Sequence, residues 1–240
     1  MKVPIEASRQ QIQEFLTSPR SRTLAITGEW GSGKTYLWNQ VLYQHLQDCD
    51  LDQYAYVSCF GIQTAPDLRT ALFLRTAPKR WALREPSWIE VNLYWPELKG
   101  RAARLVGRVT NLVGKALGRS QQVAVSLEAL ATLALKNTLV CLDDVERSSV
   151  PIDQLLGIVS ELKEKRGCRI VLIFNDQAMG ERSAMYAQYQ EKVVDLEVRL
   201  RTTPSEAFDI VFRDGYRSKA ELAPLVSSLG ATNIRVLRQH

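Results

Sequence analysis

One stretch limits what this chain can fold into more than any other: Thr23-Leu24-Ala25-Ile26-Thr27, then Gly28-Glu29-Trp30-Gly31-Ser32-Gly33-Lys34-Thr35, then Tyr36-Leu37-Trp38-Asn39-Gln40-Val41-Leu42. The first five residues read as a short buried-type strand and the last seven as the opening of a helix. The eight between fit the spacing G-x-x-x-x-G-K-[ST]. Glycines let successive backbone N–H groups turn toward one small volume. The helix presents its positive end to that same volume, so the strand, loop and helix together form a cradle for phosphate. Lys34 adds a charge within reach of β- and γ-phosphates, and the Thr35 hydroxyl is placed to ligate Mg²⁺. The nucleotide-binding candidates are therefore Gly28, Glu29, Trp30, Gly31, Ser32, Gly33, Lys34, Thr35 and Tyr36.

The remaining chain supplies the partners such a unit needs. An amphipathic helix over 4–17 precedes the first strand, placed either beside a nucleotide base or on the sheet edge. Strands are expected over 54–60, 138–142, 169–174 and 192–198, with helices over 66–76, 121–136, 151–166 and 177–190 between them. Strands alternating with helices predict an α/β fold: a parallel sheet covered on both faces, in three αβα layers. After 200 the pattern turns helical. Thr203-Pro204-Ser205-Glu206 and Ser218-Lys219-Ala220-Glu221 read as capping boxes, and Thr232-Asn233 opens a third helix. The chain thus divides into a core over 1–200, with a helical insert over 77–136, and an incomplete helical lid over 201–240.

Ligands of parallel sheets lie at the carboxyl ends of the strands. Besides the phosphate loop, two such ends carry polar groups. Asp143-Asp144 follows an apolar strand in the manner of a Walker B motif. There one acid, Asp143, holds the Mg²⁺ shell and the next, Asp144, polarises an attacking water. Asn175 ends the 169–174 strand, where a side chain orients that water. Arg147 and Arg235 are the candidate cations for charge that develops on the γ-phosphoryl oxygens. The catalytic candidates are thus Asp144, Asn175, Arg147 and Arg235; the metal candidates are Thr35 and Asp143; the cofactors are ATP and Mg²⁺.

Composition narrows the setting. Cys49, Cys59, Cys141 and Cys168 make no C-x-x-C pair, and three lie in or beside apolar strands, so they read as reduced, buried thiols of a cytoplasmic protein. The two histidines, His45 and His240, form no metal pattern. No signal-peptide h-region opens the chain, and no apolar run approaches the roughly 18 residues of a membrane span. The net charge of +5 permits an anionic partner without demanding one. Segment 99–119 has six positive residues and no acid, with Leu105, Val109, Leu112 and Leu117 on one helical face and Arg101, Arg104, Arg108, Lys115 and Arg119 mostly on another. It is either an insert helix packed on the core or a surface for nucleic acid or anionic lipid.

The phosphate loop, with Trp30 two residues after its first glycine, resembles that of the KAP family of P-loop NTPases. Leu142-Asp143-Asp144-Val145-Glu146-Arg147 resembles that family's Walker B, Ile173-Phe174-Asn175-Asp176 its next strand end, and Thr232-Asn233-Ile234-Arg235-Val236-Leu237-Arg238 its motif in the helical part. The resemblance implies an ATPase of the additional-strand class, with a five-stranded core and a helical lid. Members often act as molecular switches, many at membranes, and some prokaryotic members act in exclusion of phage. By this resemblance Lys34 and Thr35 bind phosphate and Mg²⁺, Asp143 the metal and Asp144 the catalytic water. Many members carry transmembrane helices between the two Walker motifs, where this chain has only the basic segment. Members also continue past the lid motif, so the chain is expected to be the N-terminal part of a longer protein or a short member.

The leading functional expectation is an ATP-hydrolysing switch whose nucleotide state controls its own assembly or an effector protein. Two alternatives stand beside it: a small-molecule or nucleotide kinase, and a nucleic-acid or anionic-lipid binding module with ATP as a structural ligand.

Overall fold

The computed structural model describes residues 5–20, 22–79, 135–212 and 219–237. The expected insert, its basic 99–119 segment, nearly all of the expected 121–136 helix and the Ser218 cap lie outside them.

Six strands form one sheet: β1 (Thr23–Thr27), β2 (Gln53–Ser58), β3 (Thr76–Pro78), β4 (Thr138–Asp143), β5 (Arg169–Phe174) and β6 (Leu196–Arg199). Their lateral order is β3-β2-β4-β5-β1-β6. Five run parallel, with Thr27 opposite Phe174 and Leu142 opposite Leu172, while β3 runs antiparallel at the edge beside β2. Every residue of β1, β4 and β5 is buried, because helices cover both faces of the central strands.

The two-residue alternation of each strand sends its side chains to different layers. Leu24, Ile26, Cys141, Val171 and Ile173 face α1 (Ile5–Thr17) and α2 (Lys34–His45), meeting Ile12, Phe15, Leu37, Trp38 and Val41. Ala25, Val140, Leu142, Ile170 and Leu172 face α3 (Ala65–Arg75), α4 (Ile152–Arg166) and α5 (Arg182–Val193). The three layers are those the alternation of elements predicts. α1 packs against α2 and the edge strand β6.

Local signals account for many boundaries. Thr64 caps α3 by accepting from the Asp67 amide. Gly167 ends α4 in a left-handed conformation, and the Cys168 amide donates to Leu162 O. Thr203 and Glu206 form the expected capping box at α6 (Pro204–Val211). α6 meets α7 (Lys219–Ser228) around Phe208, Phe212 and Val226, and a last turn, α8 (Ile234–Leu237), follows.

The fold corrects four expectations. The sheet has a sixth strand where 76–78 was divided between a helix end and the insert; Arg75 ends α3, and Tyr54 and Ala55 offer Ala77 and Thr76 an open edge. The strand expected over 54–60 stops at Ser58, and residues 59–61 turn at Gly61. The helix expected over 177–190 begins as a 3₁₀ turn over Asp176–Met179, breaks at Gly180 with φ 56°, and resumes as α5. The strand expected over 192–198 is only Leu196–Arg199, because α5 continues until Val193 is buried against the core.

Candidate active site

Parallel pairing brings the carboxyl ends of β1, β2, β4, β5 and β6 to one edge of the sheet. The loop after β1 is shaped there by glycines. Gly28 has φ 148°, and a Cβ on it would lie 2.4 Å from Leu200 O; Gly31 has φ 81°, and a Cβ on it would lie 2.2 Å from Asn233 Oδ1. The loop is thus sandwiched between the sheet edge and the segment before α8. The Ile234 amide donates to Gly31 O at 3.0 Å, and the Thr202 hydroxyl donates to Ser32 O. The Lys34 ammonium, buried, bridges Gly28 O at 2.6 Å and Glu29 O at 2.8 Å. Ser32 Oγ is buried and has no hydrogen-bond partner among the described residues.

The acid pair meets this loop from β4. Thr35 Oγ1 donates to Asp143 Oδ2 at 2.9 Å, and the Tyr56 hydroxyl donates to the same oxygen at 2.8 Å. The Asp144 amide donates to Asp143 Oδ1 at 2.8 Å. Burial pushes the Asp143 carboxyl above the ordinary carboxylate range, with Asp144 pushing the same way, while the two hydroxyls and the amide oppose the shift. Asp144 itself sits in the left-handed region, φ 53°, which Asp tolerates better than most residues. Its Oδ2 accepts from Ser58 Oγ at 3.2 Å, and its Oδ1 lies 3.9 Å from Arg147 Nε. Lys34, Thr35, Tyr36, Asp143, Asp144 and Glu146 line a cavity of about 80 Å³ here.

Residues 145–147 form an outer rim. Trp30 Nε1 donates to Glu146 Oε1 at 2.7 Å. The Arg147 guanidinium lies 5.4 Å from the Trp30 ring centroid and 5.6 Å from that of Phe60. Arg182 secures the rim from beneath, donating to the carbonyls of Val145, Glu146, Ser148 and Val150. Desolvation lowers the pKa of Arg182 from the usual arginine value. On the other side of the loop, Glu29, Asp176, Gln177, Arg199, Arg201 and Thr232 line a polar cleft of about 460 Å³, with Arg199 paired to Asp176.

The structure therefore brings the loop residues 28–36, Asp143, Asp144 and Arg147 together. Asn175 lies at the same sheet edge, but its Oδ1 accepts from the Gln177 amide and caps the following turn. Arg235 lies on α8, and its side chain is outside the described residues. Sequence reasoning did not find Tyr56, Ser58, Glu146 or Arg182 as members of the site. The alternation Tyr54-Ala55-Tyr56-Val57-Ser58 was legible as two faces of a strand, but no local signal aims its polar face at Asp143.

The donors that converge on the cavity, a threonine hydroxyl and carboxylate oxygens, are the hard ligands that suit Mg²⁺. The orphaned Ser32 hydroxyl and the Lys34 ammonium are groups that phosphate oxygens would satisfy. The residues present thus fit a magnesium–nucleotide complex. No described helix is long and apolar enough to cross a membrane.

No family model matches the chain, and no curated protein matches it. Solved structures do. A Cdc6p from Pyrobaculum aerophilum is 14% identical with a TM-score of 0.52, over 99% of this chain and 59% of its own. The ORC2 protein of Aeropyrum pernix, in ADPNP–ADP complexes, is 14% identical with a TM-score of 0.53, over 92% of this chain and 55% of its own. Its ADP form gives a TM-score of 0.50 at 14% identity, over 94% and 56%. The chain has the P-loop NTPase fold, of the kind seen in Cdc6 and ORC proteins. It spans a little over half the length of those chains.

Proposed function

We propose that this chain is an ATP-hydrolysing molecular switch. The observation that carries this reading is the junction of Thr35 and Asp143 at 2.9 Å, with Asp144 adjacent and facing the same cavity as Lys34. A phosphate cradle alone would hold a nucleotide. A second carboxylate beside the metal-holding one provides a base for hydrolysis.

In this reading the loop amides and Lys34 bind the β- and γ-phosphates, and Thr35 and Asp143 hold Mg²⁺. A cation held there would neutralise charge that develops on the phosphoryl oxygens. Asp144 accepts the proton of the attacking water, and its bond from Ser58 fixes the carboxylate. Arg147 stands at the rim beside the rings of Trp30 and Phe60 and would supply a cation for the γ-phosphoryl group. With its oxygen engaged by the Gln177 amide, Asn175 would position the water from β5 through its side-chain NH₂ alone, and Arg235 would add a cation from α8. The 201–240 helices act as the lid of a core over 1–200. They rest on the loop through the Ile234–Gly31 bond, so occupancy of the cradle reaches them directly.

The finer reading is a switch of KAP type, acting on its own copies or on an effector protein, with a role in excluding phage. It is supported by the residues Trp30 and Asp143 to Arg147.

The test is turnover by the purified chain. Inorganic phosphate should appear from ATP in the absence of any acceptor, Lys34→Ala should abolish nucleotide binding, and Asp144→Asn should bind ATP without hydrolysing it. Nucleotide-independent phosphate release, or Lys34→Ala with unchanged affinity, would sink the reading. The finer assignment is checked by challenging cells with phage, with and without Lys34→Ala.

A further inference from the structure

β2 presents Tyr54, Tyr56 and Ser58 on one face by its two-residue alternation. The register sets Tyr56 opposite Cys141 and Ser58 opposite Asp143 on β4. The two phenols serve different partners. Tyr54 Oη accepts from Trp38 Nε1 at 3.2 Å, while the Tyr56 hydroxyl donates to Asp143 Oδ2 at 2.8 Å. Thr35 donates to that same oxygen at 2.9 Å, and the Asp144 amide takes the other at 2.8 Å. Asp143 Oδ2 is thus held by two hydroxyls, one from α2 and one from β2.

The consequence falls on Thr35. A hydroxyl that gives its proton to Asp143 turns its oxygen lone pairs away from the carboxylate and toward the cavity. That orientation depends on where Oδ2 stands, and Tyr56 is the second group that holds Oδ2, from the neighbouring strand. Without Tyr56 the carboxylate keeps the Asp144 amide at Oδ1 and Thr35 alone at Oδ2, and its last side-chain torsion is broad, so Oδ2 is less closely fixed. Phe at position 56 keeps the ring and its packing between the sheet and α2, and removes only the pin.

We propose that Tyr56 is a positioning residue for the divalent cation: it sets the magnesium requirement of the site by fixing Asp143 and, through it, the Thr35 hydroxyl. This rests on the reading of the site as a magnesium–nucleotide site. Loss of one hydrogen bond to a charged acceptor in such a chain corresponds to about tenfold in an equilibrium.

The test uses the full chain and a fluorescent ATP analogue, titrated first in EDTA and then at rising MgCl₂. Three proteins are compared: wild type, Tyr56→Phe and Tyr54→Phe. Tyr56→Phe should need about tenfold more Mg²⁺ for half-maximal binding and keep wild-type affinity in EDTA. Tyr54→Phe, which loses a hydroxyl on the same face but not at Asp143, should keep the wild-type magnesium midpoint. An unchanged midpoint in Tyr56→Phe, or equal loss with and without Mg²⁺, overturns the proposal and assigns the hydroxyl to packing alone. A wild-type chain whose nucleotide binding ignores Mg²⁺ overturns instead the reading on which the proposal stands.

Discussion

Gly31 has no room for a side chain, and the reason is not phosphate. Its φ of 81° strains any residue with a side chain, and an added Cβ would lie 2.2 Å from Asn233 Oδ1, so that side chain would have to move. Gly31→Ala should therefore cost about 2 kcal/mol of stability, read as a lowered melting temperature, from strain and the displaced Asn233 together. It should also weaken nucleotide binding, since the same peptide shapes the cradle. Asp144 carries the opposite expectation. Asp144→Asn keeps the shape of the side chain and removes its basicity, so turnover should fall by roughly 10²-fold or more while ATP affinity stays within a few-fold. Equilibrium binding beside steady-state phosphate release separates the two effects.

At the scale of elements, the fold is tied by arginines as well as by apolar layers. Arg169, at the start of β5 and 1% exposed, donates to Leu16 O at 2.5 Å and to Asp50 Oδ1 at 2.6 Å. It joins the end of α1, the turn before β2 and the sheet. Arg169→Met should fill the space but leave the Leu16 carbonyl without its donor. A loss of about 2 kcal/mol in urea unfolding is expected, with nucleotide binding intact because the site lies at the other end of β5. Arg182 does comparable work at the site end, holding four carbonyls of residues 145–150. Neither arginine stood out in the sequence. A guanidinium in such a role is defined by the carbonyls around it, and those come from segments far apart along the chain.

Across the whole molecule, all four cysteines are free and buried. Burial raises the thiol pKa of Cys59, Cys141 and Cys168. A thiol reagent at pH 8 should find almost no reactive group in the native protein and all four after unfolding, because the thiolate is the reacting form. The sign of the linked stability follows. Above the ordinary thiol range, near pH 8.5, the unfolded chain ionises these groups while the fold keeps them protonated. Stability contributed by the neutral thiols is present below that range and declines as pH rises, so the melting temperature should be lower at pH 10 than at pH 8.

The sequence by itself determined what depends on near neighbours. The cradle of 28–35, the caps at Thr64, Thr203 and Gly167, and the polar residues at the ends of β4 and β5 are each legible within a few positions, since a cap or a glycine turn is a local hydrogen-bonding problem. The buried character of β1, β4 and β5 is legible too, because a strand whose interior residues are apolar on both faces is one covered on both faces. Tertiary structure alone decided the lateral order, which puts β5 between β1 and β4 and lets Thr35 meet Asp143 across 108 residues of chain. It decided the three-residue edge strand β3, too short to carry a pattern, and the use of Asn175 as a cap. It also decided that Tyr56, read only as one more β-former, bonds the acid of a neighbouring strand. The physical reason is common to all of these. Period and propensity specify which face of an element is apolar, but which element lies beside it is settled only when the whole core is packed.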